Sequence, residues 1–155
     1  MKLLLLCVTV ALLTNAGCGQ QTKQPNATAA KQTVRTDVAP ISRRLPKLGQ
    51  LRSVWWISTQ VTTDSALSPP SQPAYRVWGF VQLEKGKAEE FSRQFEWQRM
   101  PADWKPELTV TNLNLDSAEW SRSDAFTKDC KPQQIPGKLY IERHKGVIYF
   151  DLEIE

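Results

Sequence analysis

The chain is poor in the residues that soft metals and covalent catalysis need. One histidine and three cysteines occur in 155 residues, too few for a zinc finger or an iron–sulfur centre. Only seven glycines are present, and neither G-x-G-x-x-G nor G-x-x-x-x-G-K-[ST] occurs, so nucleotide-binding loops have no support. The Asp-x-Asp-x-Asp-Gly pattern of a calcium loop is absent. No internal segment is apolar enough to span a bilayer. Ten prolines and six tryptophans are present, and the formal net charge is +4. The length is that of one small domain.

The first 18 residues read MKLLLLCVTVALLTNAGC. Lys2 supplies a short positive start, and Leu3 to Leu13 is an apolar run of 11 residues. That run is too short for a bilayer but suits the apolar core of a secretory signal. Small residues and Cys18 follow. With Ala16-Gly17-Cys18 at its end, the segment resembles a bacterial lipoprotein signal peptide and its lipobox. The resemblance covers about 20 residues and does not extend to the rest of the chain. It implies cleavage before Cys18, a signal peptide over residues 1–17, and a lipid-modified Cys18 that anchors the chain in the membrane (a diacylglyceryl group on sulfur, with palmitate-type acylation). Asn15 stands where such signals commonly carry leucine. The alternative is cleavage after Thr14-Asn15-Ala16 as an ordinary small-x-small site, which releases a soluble secreted or periplasmic protein. Gly19 rather than Asp after Cys18 implies the outer membrane in diderm bacteria.

Residues 19–50 contain no aromatic residue and are dominated by Gln, Thr, Ala, Pro and Lys. This composition predicts a disordered tether, because it offers little apolar surface to offset the entropy of ordering. Six basic residues face Asp37 alone there, a net charge of +5, whereas residues 51–155 carry 13 basic and 15 acidic residues. The basic excess therefore belongs to the tether. Nucleic acid is excluded as a partner on that charge split. A solvated spacer is the plain reading of the tether; contact with anionic lipid or cell-wall polymer is the sharper one.

Residues 51–155 read as one α+β domain: an antiparallel sheet of four or five strands, one main amphipathic helix, one short helix and a C-terminal β-hairpin. Residues 53–61 and 74–84 are rich in β-branched and aromatic residues and predict strands. The second has apolar groups on both faces, as a central strand does, and Gly79 within it marks a bulge or a close backbone approach. Ala88, Phe91 and Phe95 fall at helical spacing within 86–98. Residues 107–115 predict a further strand. Asp116 with Glu119 three residues on predicts a capped helix over 117–128. Lys138–His144 and Val147–Ile154 alternate about Lys145-Gly146, the hairpin signal. Ile148, Phe150, Leu152 and Ile154 form its apolar face, and Val147, Tyr149, Asp151 and Glu153 the more polar one.

Two sets of residues compete for function. Cys7 leaves with the signal and Cys18 carries lipid, so Cys130 is the free thiol of the mature chain. It reads as a small buried hydrophobe, with an intermolecular disulfide as the rival. A Cys130/His144 dyad lacks an orienting third group. The acidic residues gather into no convincing pair, and the sequence implies no metal and no cofactor. The tryptophans are the unusual feature. Tryptophan is enriched at binding hot spots, and Trp97 and Trp104 flank the helix exit as an exposed partner-binding platform; the plainer reading is that most of the six fill the core. Together these features point to a membrane-anchored envelope lipoprotein that is not an enzyme and whose domain binds a protein or glycan partner. A structural or accessory lipoprotein of an envelope assembly is the alternative, and a small hydrolase ranks last.

Overall fold

The computed structural model describes residues 33–61 and 73–154. Cys18 and the signal lie outside these described residues. Six strands form one fully antiparallel sheet: β1 (Leu51–Val61), β2 (Ala74–Leu83), β3 (Gln98–Arg99), β4 (Trp120–Arg122), β5 (Gly137–Glu142) and β6 (Val147–Ile154). Their spatial order is β1-β2-β6-β5-β4-β3. Three α-helices accompany the sheet among the described residues: α1 (Ala39–Arg44), α2 (Lys87–Gln94) and α3 (Asp124–Cys130). The class is thus α+β as expected, with more strands than expected.

Side-chain alternation divides the core into two layers. On one face Val54 and Trp56 of β1, Val77 and Val81 of β2, Leu139 and Ile141 of β5, and Ile148, Phe150 and Leu152 of β6 meet the helices. Phe91 of α2 and Phe126 and Cys130 of α3 close that layer. On the other face Ile57, Trp78, Phe80, Tyr140, Val147, Tyr149 and Trp120 form a second cluster. Among the described residues it is covered by the segment between β3 and β4 and by no helix. β2 lies between β1 and β6 and is buried on both sides, as its two apolar faces require. Gly79 pairs with both Trp56 and Phe150. A Cβ there would stand 2.0 Å from the Trp55 carbonyl oxygen, so glycine is required by close backbone approach.

Several expectations are corrected. The predicted disorder of residues 19–50 fails over residues 33–50, and residues 19–32 lie outside the described residues. Arg35 forms an antiparallel bridge with Trp56, α1 follows with Pro40 in its first turn, and Pro46–Leu48 makes a 3-10 turn. Ile41, Leu45 and Leu48 are fully buried. Their spacing of four and three residues is helical; composition masked it, because three aliphatic side chains carry the whole burial. The ordered region therefore begins before Leu51.

The predicted strand at 107–115 is irregular backbone. Its apolar residues Leu108, Val110, Leu113 and Leu115 do pack on the second cluster, but as a layer lying over the sheet rather than a ladder within it. The predicted helix at 117–128 is two elements. Trp120–Arg122 pairs with Tyr140–Glu142 of β5, and α3 starts afterwards with Ser123, not Asp116, as its N-cap: the Ser123 hydroxyl accepts a hydrogen bond from the Phe126 amide at 3.3 Å. A sheet edge available for pairing outweighs a local capping pattern here. The helix of residues 86–98 ends at Gln94, with Phe95 already extended. The hairpin connection spans four residues, 143–146, because Glu142 pairs with Val147; Gly146 adopts φ +62°. The polar face of β6 is polar only at its far end, since Val147 and Tyr149 are buried beneath the covering segment.

Candidate functional site

The second face of the sheet carries a nest of aromatic rings. Trp104 lies over Tyr140 with ring centroids 4.4 Å apart. It meets Trp120 at 5.9 Å and Tyr149 at 6.0 Å, both edge to face. Phe80 joins Tyr149 at 5.4 Å. Such offset and edge contacts complement the ring quadrupoles. Trp104 belongs to no regular element; it reaches this position because residues 101–119 lay their apolar side chains down on the sheet.

That segment is pinned along its length. The Arg76 guanidinium donates to Glu107 at 2.8 Å and, from two nitrogens, to Asp151 at 2.9 and 2.7 Å. The same group lies 4.8 Å above the Trp78 ring. Its pKa is raised, first by the Asp151 hydrogen bonds and then by Glu107, so it is a permanent cation that ties β2, β6 and the covering segment together. Arg99 pairs with Glu119 at 2.6 Å, and the Lys145 ammonium donates to the Asn114 carbonyl. Lys145 is itself placed by Glu142, a carboxylate buried at the end of β5 that accepts the Lys145 amide hydrogen bond.

Between this segment and the sheet lies a cleft of about 270 Å³. Phe80, Trp104, Trp120, Leu108, Leu113 and Leu115 form its apolar wall, and Lys105, Thr109 and Asp116 supply its polar groups. Concave, mainly aromatic recesses with a few polar groups are the usual form of small binding sites. The Tyr149 hydroxyl is buried next to the nest without a hydrogen-bond partner among the described residues. Burial raises the pKa of Tyr149 and of Tyr140, so both stay neutral donors at ordinary pH.

The residues singled out from sequence end in different places. Trp97 packs on Phe126 at 5.0 Å in the helix-side layer and donates its indole N–H to the Phe91 carbonyl at 3.2 Å. Trp104 sits on the opposite face of the sheet. The joint Trp97/Trp104 platform is therefore corrected: the two rings do not share a surface, and neither is exposed. None of the six tryptophans is exposed, and Trp55 and Trp56 point into different layers, as adjacent strand residues must. Cys130 is buried and free, with its thiol pushed up to about 12 by desolvation and then by Asp129. His144 is exposed on the hairpin turn, and no hydrogen bond joins it to Cys130 among the described residues. Among those residues no three His, Cys, Asp or Glu gather as a metal site, and no helix is long and apolar enough to cross a membrane. Sequence reasoning missed Arg76, Tyr140 and Tyr149 as parts of a site; it read Leu108, Leu113 and Leu115 as core contacts, which they are, but within a strand. The available signal was the apolar set Leu108, Val110, Leu113 and Leu115 between Pro106 and Trp120, whose alternation breaks between Val110 and Leu113. Comparison with protein-family models, with curated proteins and with solved structures yields no match for this chain.

Proposed function

We propose that the chain is a lipid-anchored protein of the bacterial cell envelope whose domain binds a protein or glycan partner at the cleft beside Trp104. The anchor reading rests on the signal-like segment ending in Ala16-Gly17-Cys18, and Gly19 after it supports the outer membrane as the destination. The observation that carries the binding reading is the cleft itself. A covering segment of about 20 residues without regular structure is uncommon unless it serves function, and this one is pinned at Glu107, Asn114 and Glu119 with an aromatic recess beneath it. The recess suits one inserted side chain or one sugar ring packed against the half-buried Trp104. Its lining is mainly apolar rings and aliphatic side chains, with Lys105, Thr109 and Asp116 at its polar side, which supports a binding role.

Leu113→Arg places a long cation at the cleft wall and tests this reading. Affinity capture from an envelope extract is compared between the native chain and the variant, with thermal unfolding of both. Loss of one defined partner at unchanged stability supports the cleft. Capture that survives Leu113→Arg overturns it. Cys18→Ser tests the anchor separately, by loss of fatty-acid labelling and release from membranes; unchanged labelling overturns that part.

A further inference from the structure

A recess of about 310 Å³ opens on the helix side of the sheet, where the ends of β1, β2 and β6 meet the segment that leads into α1. Strand register places its floor. Ser58 pairs with Val77 and Tyr75 with Ile154, and Trp56 stands two residues before Ser58 on the same strand, so these side chains share one face. Trp56 and Val77 belong to the helix-side layer, and Ile154 packs on it. Tyr75 is 38% exposed and carries the floor out to solvent. The aromatic cleft beside Trp104 lies on the other face of the sheet.

Two arginines stand over this floor. The Arg35 backbone is bridged to Trp56 by hydrogen bonds of 2.7 and 2.9 Å, and its guanidinium lies 4.8 Å over the Trp56 ring. Arg44 is half-buried in α1 and donates to the Pro40 carbonyl at 2.9 Å. A ring face and a neutral carbonyl thus position the two cations and leave their charge in place. Neither forms an ion pair among the described residues, although Asp37 lines the same recess. Asp37 is engaged through its backbone, whose carbonyl accepts the Trp56 indole N–H at 3.2 Å.

A guanidinium stacked on a ring keeps its N–H edge for a planar acceptor with two oxygens. Two guanidiniums against one carboxylate leave the recess a single positive charge, which one further carboxylate neutralises. Beside them Tyr75, Val77 and Ile154 offer an apolar surface with one ring face, and the volume is at the small end for ligand sites.

We infer that this recess binds a carboxylate carried on a small apolar or aromatic body, with the acid on Arg35 and Arg44 and the body on Tyr75. It is a second site, independent of the cleft beside Trp104 and of the anchor. A free organic acid and the terminal residue of a peptide supply the same chemistry, and the test separates them.

The isotope-labelled full chain is titrated with phenylacetate while the indole cross-peak of Trp56 and the amide cross-peaks of Ser58 and Tyr75 are followed. The expected result is saturable shifts at these positions with a dissociation constant of about 1–10 mM, the range for so small a ligand. Arg35→Gln and Arg44→Gln should each weaken binding about tenfold. Arg43→Gln, in an exposed neighbour outside the recess, should leave it unchanged, and neutral phenylacetamide should produce no shift. Tighter binding of Gly-Gly-Phe than of phenylacetate assigns the carboxylate to a peptide terminus, and weaker binding assigns it to a free acid; both keep the site. No saturable shift at these positions overturns the inference, as do equal shifts with phenylacetamide or equal weakening by Arg43→Gln. Tighter binding of phenyl phosphate overturns the carboxylate class. Glu155 follows Ile154 in sequence and lies outside the described residues; binding that appears only in Glu155→Gln assigns the recess to that side chain and overturns the inference as well.

Discussion

Trp97 and Trp104 are seven residues apart in the chain and lie on opposite faces of one sheet, Trp97 against Phe126 and Trp104 against Tyr140. The short strand β3 between them, paired to β4, is the point at which the chain crosses from the helix layer to the aromatic layer. Each ring therefore supports a different half of the core.

Trp97→Ala and Trp104→Ala each remove a large ring from a packed cluster. The expected cost is about 2–4 kcal/mol apiece, near additive because the two layers are separate. Urea unfolding of both single variants and the double variant measures this. A loss under about 0.5 kcal/mol at either site contradicts the packing role, since that is the range of ordinary surface substitutions.

Gly79→Ala tests the close approach of β2 to β1. Its Cβ would meet the Trp55 carbonyl and the Trp56 backbone, both held in the ladder. The expected loss is about 3 kcal/mol or more, or failure to fold. Gly86→Ala is the comparison: open space surrounds that position and only its φ of +86° resists a side chain, for a loss of about 1 kcal/mol. Equal losses would mean that backbone conformation, not contact, governs Gly79.

Cys130 makes the fold sensitive to alkali. Burial moves its thiol from the ordinary 9.0 up to about 12, so the folded state holds a proton that the unfolded state releases. Because the folded value is raised, the contribution is complete below pH 9 and is lost as pH rises toward 12. Stability should fall by about 1.4 kcal/mol per pH unit from this group within that window. Tyr140 and Tyr149 add to the decline above pH 10. Chemical unfolding of the native chain and Cys130→Ala from pH 8 to 10 reads the difference in slope. Parallel slopes refute the assignment.

Arg76 and Asp151 form a two-point ion pair, each side chain about one-third exposed. A double-mutant cycle with Arg76→Ala and Asp151→Ala should give a coupling of about 1 kcal/mol, weakened by salt. Arg76→Lys should not restore it, because an ammonium cannot span both carboxylate oxygens and Glu107 together. Full rescue by lysine would reduce the contact to simple charge attraction.

Several elements were legible locally because their signals are periodic. Alternation over Val147–Ile154 and apolar groups on both faces of residues 74–84 predict the last strand and a central one, and both occur. The helix at 87–94 follows from Ala88 and Phe91. The segments that misled share a different trait. Leu108 to Leu115 has strand composition, yet no strand edge stands opposite to receive its backbone, so only its side chains found partners. Trp120–Arg122 has helical context, yet β5 offers an open edge and takes it into the sheet.

The sequence by itself determined the signal-like start, the uneven charge, the two long strands, the main helix and the terminal hairpin. Each depends on neighbours within a few residues or on composition alone. Only the tertiary structure decided that residues 33–50 join the fold, that Trp97 and Trp104 part company, and that Arg76 pins a covering segment over an aromatic cleft. Those outcomes depend on groups 21 to 82 positions apart, such as Arg35 with Trp56, Arg76 with Asp151 and Lys47 with Asp129. The free energy of such contacts appears only when the sheet has brought both partners together, and no local pattern encodes it.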